Sequence, residues 1–222
     1  MGTATLFVLI AVFAAVAMIA IGLGWRYASR RRSLPCPAWL FPVLVNRVTE
    51  PIGARILPSL DRIQLSPGMR VLDAGCGTGR LTLPAAEAVG PNGLVVALDL
   101  QPAVLEKLRQ RAKARGLTNI RTVAGGIGQG VVEENAFDRA LLMTVLGEIP
   151  ERHRVLALRE IYAALKPGGI LSITEAIEPH YQTRDTVRRL AEAVGFRLDR
   201  QYGSWLAFTM NFAKGHAGPG SR

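Results

Sequence analysis

The stretch from Val71 to Arg80, VLDAGCGTGR, constrains the fold of this chain more than any other. A short apolar run ends in an acid and leads into three glycines at alternate positions, Gly75, Gly77 and Gly79. A glycine loop between a strand and a helix places backbone N–H groups and a helix N-terminus beside a bound nucleotide. The stretch therefore predicts the first strand–loop–helix unit of an α/β domain.

Strand-like and helix-like patterns alternate through the rest of the domain. Such alternation predicts a mostly parallel sheet with helices on both faces. The apolar spacing predicts a helix over Glu151–Leu165 and a fifth strand that begins at Ile170. The last two runs, FRLDRQYG and SWLAFTMNFAK, are both strand-like and meet at Gly203 and Ser204 without a helix between them. They predict a C-terminal antiparallel hairpin.

The spacing of the glycines narrows the choice of nucleotide. The dinucleotide fingerprint G-x-G-x-x-G needs a third glycine where this chain has Arg80, because that glycine lets the helix pack closely on the strand. The third glycine comes one position earlier, at Gly79. The run G-x-x-x-x-G-K-[ST] of phosphate-binding loops is absent. Asp99 ends the second strand, where a carboxylate can accept hydrogen bonds from ribose hydroxyls. A nucleoside-containing ligand other than a dinucleotide is therefore favoured.

Four motifs in order, VLDAGCGTG, LDL, FDRALL and LKPGGILSITE, resemble those of class I S-adenosylmethionine-dependent methyltransferases. Within that superfamily the chain is similar to the ubiquinone/menaquinone methyltransferase-like small-molecule branch. The resemblance covers about Pro51 to Lys214. It implies a Rossmann-like, seven-stranded, mostly parallel sheet with a C-terminal antiparallel hairpin. It also implies S-adenosylmethionine as the cofactor.

The resemblance further implies which residues contact the cofactor. Asp73 corresponds to the acid that orders the loop and approaches the methionine amino group, often through water. Asp99 would accept hydrogen bonds from the ribose hydroxyls. The other implied contacts are Gly75, Gly77, Gly79, Leu100, Gly126, Ile127, Thr144 and Val145.

One position departs from the family pattern. Gly126 stands where related proteins often have an acid that accepts from the adenine amino group. Backbone groups around Gly126 and Ile127 could still hold the adenine ring. Gln129 is a second candidate for that role.

The chemistry predicts where an acceptor would bind. Methyl transfer from a sulfonium is an in-line displacement, so a base is needed only where the acceptor must lose a proton. Candidate bases follow the fourth and fifth strands, because ligands bind beyond the carboxyl ends of strands in open α/β sheets. Glu148 is the first candidate, and His180 and Tyr181 follow as a base or as the wall of the site. Glu175 and Glu178 lie in the same region.

The first 25 residues are predicted to form a transmembrane helix. Leu6 to Gly24 is free of charge over 19 residues, and at ~1.5 Å per residue it covers about 28 Å, the thickness of a bilayer core. Arginines follow directly, which predicts a single span with the N-terminus outside and the catalytic domain in the cytoplasm. They would also contact anionic lipid, and they are Arg26, Arg30, Arg31 and Arg32. A cleaved signal peptide is disfavoured because no charge precedes the apolar run. A helix packed on a soluble core is disfavoured because the run has no polar stripe.

Residues 26–50 are expected to form a basic juxtamembrane and interfacial segment. Pro35, Pro37 and Pro42 break any long helix, and the apolar run around them is too short to span a membrane. A lid packed on the soluble domain is an equally consistent interpretation. The soluble domain is expected over residues 51–214, with a disordered tail over residues 215–222. The two cysteines and three histidines show no metal-ligand spacing, so no metal site is expected.

The acceptor is expected to be a lipophilic small molecule: a quinone precursor, lipid, isoprenoid, thiol or phenol. A membrane anchor on a small methyltransferase suits an acceptor that partitions into lipid. The net charge of +10 allows nucleic acid, but amino-methylating nucleic-acid enzymes of this superfamily carry an Asn/Asp-Pro-Pro-aromatic run after the fourth strand. This chain has TVLGEI there, so nucleic acid is disfavoured as a partner. The alternatives are RNA or protein as the acceptor, or a non-catalytic module that binds S-adenosylmethionine.

Overall fold

The structure is a computed structural model that describes residues 60–176 and 181–215, together with positions 5, 13, 17 and 20. The five helices of the two continuous ranges are α1 Leu60–Ile63, α2 Thr82–Val89, α3 Pro102–Ala114, α4 Glu151–Ala164 and α5 Arg184–Glu192. The seven strands are β1 Arg70–Ala74, β2 Leu94–Asp99, β3 Ile120–Ala124, β4 Phe137–Met143, β5 Leu165–Ala176, β6 Phe196–Gly203 and β7 Ala207–Lys214.

The seven strands form one sheet in the order β3-β2-β1-β4-β5-β7-β6. The five strands from β3 to β5 in this order are parallel, and β7 runs antiparallel to both β5 and β6. The order of the parallel strands reverses between β1 and β4, which is the crevice where ligands of open α/β sheets bind. The predicted Rossmann-like sheet with a C-terminal hairpin is confirmed.

The central strands carry continuous apolar runs because both of their faces are buried. Successive side chains of β1 point to opposite faces. Val71 packs with α2, and Leu72 packs with α4. Both side chains are fully buried. A strand covered on two sides carries a continuous apolar run rather than an alternating one, which explains the pattern of the VLDA segment.

Two element boundaries differ from those predicted from the sequence. β5 begins at Leu165 rather than Ile170, because α4 ends at Ala164 and Leu165 is already extended. The register between β4 and β5 shifts at the Lys-Pro-Gly-Gly segment, which lies inside β5. β7 begins at Ala207 rather than Ser204, since the residues before it form the hairpin turn. At β5 the residues predicted as a turn belong to the strand, and at β7 the residues predicted as strand form the turn.

The connection from β3 to β4, residues 125–136, contains no helix. One carboxylate holds this loop in place. Glu160 on α4 accepts backbone N–H bonds from Gly128, from Val131 at 2.8 Å and from Val132 at 3.0 Å. These bonds replace the hydrogen bonds that a helix would make within itself.

The predicted transmembrane helix, the juxtamembrane segment and the tail after residue 215 lie outside the described residues. Thr5, Phe13, Ala17 and Ala20 are described singly, and each is helical. Within the described part of the chain, no helix has both the length and the apolar character needed to cross a membrane.

Candidate functional site

The residues implied to bind the cofactor come together at the carboxyl edge of the parallel strands. Asp73 lies one residue before the end of β1, and Asp99 ends β2. Gly126 follows β3, and Thr144 follows β4. Parallel strands bring their carboxyl ends to the same edge, and the edge at the reversal of strand order is where a ligand fits.

The glycine loop folds tightly against β2. The backbone N–H groups of Gly75 and Cys76 both donate to the carbonyl of Leu98, at 2.8 and 3.0 Å. Gly75 has a φ of 77°, a left-handed conformation that favours glycine. A Cβ atom at Gly75 would lie 2.9 Å from Cγ1 of Val145 and closer still to Cγ2. The loop after β1 therefore touches the loop after β4, and only glycine permits this approach.

Asp99 ties the glycine loop to the start of α3. Its Oδ2 accepts from the Gly77 N–H at 3.0 Å, and its Oδ1 accepts from the Gln101 N–H at 2.9 Å. Each oxygen of an ionised carboxylate has a second lone pair. Asp99 can therefore still accept from ribose hydroxyls while it holds the loop, and its position at the edge fits the predicted role.

Asp73 lies behind the loop and is only 2% exposed. The hydroxyl of Thr82, the first residue of α2, donates to its Oδ2 at 2.6 Å. Burial raises the pKa of Asp73 to about 6, the bond from Thr82 opposes this rise, and the charge of Asp99 adds to it. Asp73 thus connects β1 to the first residue of α2, the helix that follows the glycine loop. A nearby cationic amino group would favour its ionised form.

The adenine side of the site contains an amide where related proteins often have an acid. Oε1 of Gln129 accepts from the Gly126 N–H at 3.0 Å. A Cβ at Gly126 would lie 3.0 Å from the amide carbon of Gln129 and 3.1 Å from Leu100. The side chain of Gln129 therefore occupies the space that a residue larger than glycine would fill. Leu100 is 52% exposed, so its side chain is available to cover an adenine ring. Ile127, also predicted to contact the cofactor, packs against the core with α4.

The loop after β4, which carries the first candidate base, contacts the glycine loop through Val145. Thr144 has a φ of 55°, and its N–H donates to the Thr174 carbonyl at 2.8 Å. This unusual backbone conformation for a residue other than glycine turns the chain sharply out of the sheet. The next turn is closed by the Glu148 N–H, which donates to the Val145 carbonyl at 2.9 Å. Glu148 therefore lies within three residues of the side chain that touches Gly75.

The other two candidate bases lie after β5. Tyr181 donates its hydroxyl to the backbone carbonyl of Trp205 at 3.0 Å, so it contacts the hairpin between β6 and β7. Its ring packs edge to face on Phe208. This geometry suits a wall of the site, as one of its two predicted roles requires. His180, like Glu178, lies outside the described residues.

Arg154 on α4 connects the loops after β4 and β5. Its guanidinium donates to the carbonyls of Gly147 and Ile149 at 3.3 and 2.9 Å, on either side of Glu148. It also donates to the side chain of Gln182 at 3.0 Å. The N–H of Gln182 in turn donates to the buried carboxylate of Glu175 at 3.2 Å. Arg154 thus holds together the two segments that would surround an acceptor.

Arg154, Thr82 and Arg111 were not identified from the sequence. Arg111 on α3 donates to the carbonyl and hydroxyl of Thr78 in the glycine loop at 3.0 and 3.1 Å. Both arginines come from helices whose sequence shows only an amphipathic pattern with spaced charges. No local motif distinguishes an arginine that reaches a loop carbonyl from one that faces solvent.

The residues present fit S-adenosylmethionine. The glycine loop has no room for a Cβ, which matches the methionine part of that molecule. The carboxylate at the end of β2 matches the ribose, and the exposed leucine next to it matches the adenine. Among residues 60–176 and 181–215, no group of acidic, cysteine or histidine side chains could hold a metal ion.

Comparison with known proteins identifies the family. A family model described as a methyltransferase domain matches residues 65–202, well over half of the chain. The chain belongs to this family. The match covers the glycine loop, Asp99, Glu148 and most of β6, so the site described above lies within the methyltransferase domain. Fold and family identify the domain as that of an S-adenosylmethionine-dependent methyltransferase.

Curated relatives of the methyltransferase domain include quinone-modifying enzymes. The chain is 36% identical over 118 residues to a demethylmenaquinone methyltransferase of Geobacillus stearothermophilus, covering 53% of this chain and 50% of that protein. A demethylmenaquinone methyltransferase of Listeria welshimeri is 32% identical, over 53% of this chain and 49% of its own length. The chain thus spans about half the length of the curated relatives it matches.

Solved structures share the fold of the methyltransferase domain. A SAM-dependent methyltransferase from Aquifex aeolicus superimposes with a TM-score of 0.69 at 21% identity, covering 78% of this chain and 98% of that one. A TehB-like SAM-dependent methyltransferase from Corynebacterium glutamicum gives a TM-score of 0.63 at 25% identity, over 80% and 95% of the two chains. The first likeness, at this low identity, shows the fold alone.

The raised pKa of Asp73 predicts how cofactor binding depends on pH. As the pH falls through about 6, protonation removes the negative charge that would attract the cofactor's amino group. Affinity for S-adenosylhomocysteine should then fall, by at most about tenfold per pH unit for one proton. Calorimetric titration across this range checks the prediction. An Asp73→Asn variant should bind more weakly at neutral pH and show a much flatter profile, and an equally steep profile in that variant would assign the titration to another group.

The raised pKa of Asp73 also predicts how the stability of the ligand-free domain depends on pH. Stability should increase as the pH falls, whereas cofactor affinity should decrease. Because the folded-state pKa lies above the ordinary value of 3.8, the folded state binds more protons than the unfolded state between these two values. The contribution of Asp73 to the free energy of unfolding should therefore increase as the pH falls from about 6 towards 3.8.

Proposed function

We propose that the chain transfers a methyl group from S-adenosylmethionine to a lipophilic small molecule, with a quinone precursor as the first acceptor to test. The observation that carries the transfer is the cofactor cradle, in which the glycine loop, Asp99 and Val145 are held in contact. The quinone-modifying activity named for the curated relatives supports the acceptor class. Lipid, isoprenoid, thiol and phenol acceptors belong to the same proposal.

The residues of the chain contribute mainly by positioning the reactants. The cofactor supplies an activated methyl group on a sulfonium. The contact between Gly75 and Val145 fixes the distance between the loops after β1 and β4, and Arg154 fixes the loops after β4 and β5 relative to each other. An acceptor held between these loops would be aligned for in-line attack and shielded from water.

Glu148 is proposed as the base for an acceptor that loses a proton. A Glu148→Gln variant should lower kcat by about 100-fold or more, the usual contribution of a positioned base, while affinity for S-adenosylhomocysteine stays unchanged. Glu151→Gln is the matched control, because Glu151 is an exposed acid three residues further along the chain. Steady-state kinetics and calorimetry check both variants. Full turnover in Glu148→Gln would show that another group, or water, takes the proton.

The membrane anchor remains part of the proposal. Leu6 to Gly24 has the length and apolar character of a bilayer span, and four arginines follow it. We propose a single-pass protein with its N-terminus outside, its catalytic domain in the cytoplasm and its arginines on anionic lipid. This arrangement would place the site close to a lipid-soluble acceptor.

One incubation tests the function. Purified full-length protein is mixed with a membrane extract and S-adenosylmethionine that carries a radiolabelled methyl group, and the products are separated into organic-soluble, protein and RNA fractions. Label in the organic-soluble fraction is the expected result. Label in protein or RNA would contradict the acceptor class, and no transfer at all would favour a non-catalytic module that binds S-adenosylmethionine. A Gly75→Ala variant, which is expected to lose cofactor binding, gives the background.

A further inference from the structure

The turn between β6 and β7 exposes two large apolar side chains next to each other. Trp205 is 69% exposed and Leu206 is 47% exposed. The other large exposed hydrophobic residues of the described part stand singly in the sequence: Phe13, Leu100, Val131 and Leu156. Single exposed apolar residues are common on protein surfaces. An adjacent tryptophan and leucine at the tip of a hairpin form a patch instead.

The hairpin tip is held rigidly by its own hydrogen bonds. Arg184 donates to the carbonyls of Gly203 and Ser204 at 2.9 and 3.0 Å. The Ser204 N–H donates to the Ala207 carbonyl at 2.8 Å, and Tyr181 donates to the carbonyl of Trp205. Gly203 has a φ of 90°, and a Cβ there would lie 2.9 Å from the Cα of Phe208. The turn therefore presents both apolar side chains to solvent from a fixed backbone.

The tip lies on the same edge of the sheet as the candidate acceptor site. Ala207, the first residue of β7, pairs with Ala176, the last residue of β5. Because β7 is antiparallel to β5, its amino end lies at the carboxyl edge of the parallel strands. Neighbouring strands are about 4.8 Å apart, so the tip lies about 10 Å along this edge from the end of β4. Tyr181, which follows β5, contacts the tip through its hydrogen bond to Trp205.

The surface beside the tip carries an excess of positive charge. The helix α5 begins beside the tip, where Arg184 contacts it. The first six residues of α5 carry three arginines, Arg184, Arg188 and Arg189, and one acid, Asp185. Tryptophan and arginine together are the side chains that favour the interface between a bilayer and water.

We propose that Trp205 and Leu206 are a membrane contact that docks the acceptor edge of the domain on an anionic bilayer. The two apolar side chains enter the headgroup region, and the neighbouring arginines lie against anionic lipid. A lipophilic acceptor would then leave the bilayer beside Tyr181. This last step rests on the proposed function, whereas the docking itself does not.

Fluorescence quenching by brominated lipid tests the contact. The chain contains three tryptophans, so Trp25→Phe with Trp39→Phe leaves Trp205 as the single emitter. The full-length variant is reconstituted into vesicles of brominated phosphatidylcholine and phosphatidylglycerol. Trp205 should lose about half of its fluorescence, as a ring at the depth of the interfacial aromatic belt would. Salt and a lower fraction of phosphatidylglycerol should reduce the quenching.

A matched variant carries the tryptophan at the opposite edge of the sheet. In the same background, Trp205→Phe is combined with Asn92→Trp, since Asn92 is exposed in the turn before β2. Fluorescence of this tryptophan should not be quenched. Equal quenching at both positions, or none at position 205, would overturn the proposal, as would burial of Trp205 against a second copy of the chain detected by cross-linking. Because quenching needs no turnover, its result is separate from failure of the proposed methyl transfer.

A second variant separates docking from folding. Trp205→Ser with Leu206→Ser should keep the melting temperature and the affinity for S-adenosylhomocysteine, because both side chains are exposed. It should raise the KM for an acceptor presented in vesicles and leave kcat unchanged. A KM equal to that of the parent protein would contradict the docking role.

Discussion

A Gly75→Ala variant is expected to lose measurable binding of S-adenosylhomocysteine while it still folds. The new Cβ would lie 2.9 Å from Cγ1 of Val145 and nearer still to Cγ2, so the loops after β1 and β4 must separate. The φ of 77° adds strain, because alanine in the left-handed region costs about 1–2 kcal/mol. Isothermal titration calorimetry measures the binding of S-adenosylhomocysteine, and circular dichroism measures folding.

The control for this variant is Gly68→Ala. Gly68 has a φ of 84°, close to that of Gly75, but a Cβ there would meet no atom within 4 Å. This variant should therefore show the cost of backbone strain in its melting temperature and bind the cofactor normally. If both variants bound S-adenosylhomocysteine equally well, the contact between Gly75 and Val145 would not shape the cofactor site.

An Asp99→Ala variant should weaken S-adenosylhomocysteine binding by about 100-fold. The substitution leaves the N–H groups of Gly77 and Gln101 without their acceptor and removes the carboxylate proposed to bind the ribose. Hydrogen bonds to a charged group contribute about 1.5–3 kcal/mol each, and about 1.4 kcal/mol corresponds to a factor of ten in affinity. Calorimetric titration gives the dissociation constants.

Asp138→Ala is the matched control for Asp99→Ala. Asp138 also accepts from a backbone N–H, that of Arg70 at 2.8 Å, and it pairs with Lys166 at 2.7 Å. It lies near the start of β4, at the opposite edge of the sheet. Its loss should lower the free energy of unfolding without changing cofactor affinity. An Asp99→Ala variant with the affinity of this control would show that Asp99 has only a structural role.

The sequence predicts the fold well because its signals are local and repeated. Each buried strand is a short apolar run, and Gly90 and Gly116 follow the helices that they were expected to end, with φ of 66° at both positions. The boundary before β5 was wrong because Lys-Pro-Gly-Gly is typical of a turn, whereas pairing of Leu165 with Phe137 starts the strand before this segment. Pairing between distant strands leaves no local signal of this kind.

The candidate site was predictable in part for the same reason. The loop glycines and Asp99 belong to two short motifs of the family, so the resemblance implies their roles, whereas their spacing alone indicates only a nucleoside-containing ligand. Arg154 and Glu160 act on segments that are distant in the sequence or lack regular structure. Their partners are mostly backbone groups. Every residue has such groups, so the sequence does not indicate which of them a distant side chain contacts. Only the folded chain shows which helix residue reaches which loop.

The loop between β3 and β4 connects the adenine side of the site to α4. It has no internal helix and depends on one carboxylate, that of Glu160, for the N–H bonds of Gly128, Val131 and Val132. Ile127, Val132 and Ala136 of the same loop pack on the core. Loss of the Glu160 carboxylate would leave three N–H groups in the middle of the loop without their acceptor. The order of the adenine side therefore depends on α4, a helix that supplies none of the residues implied to contact the cofactor.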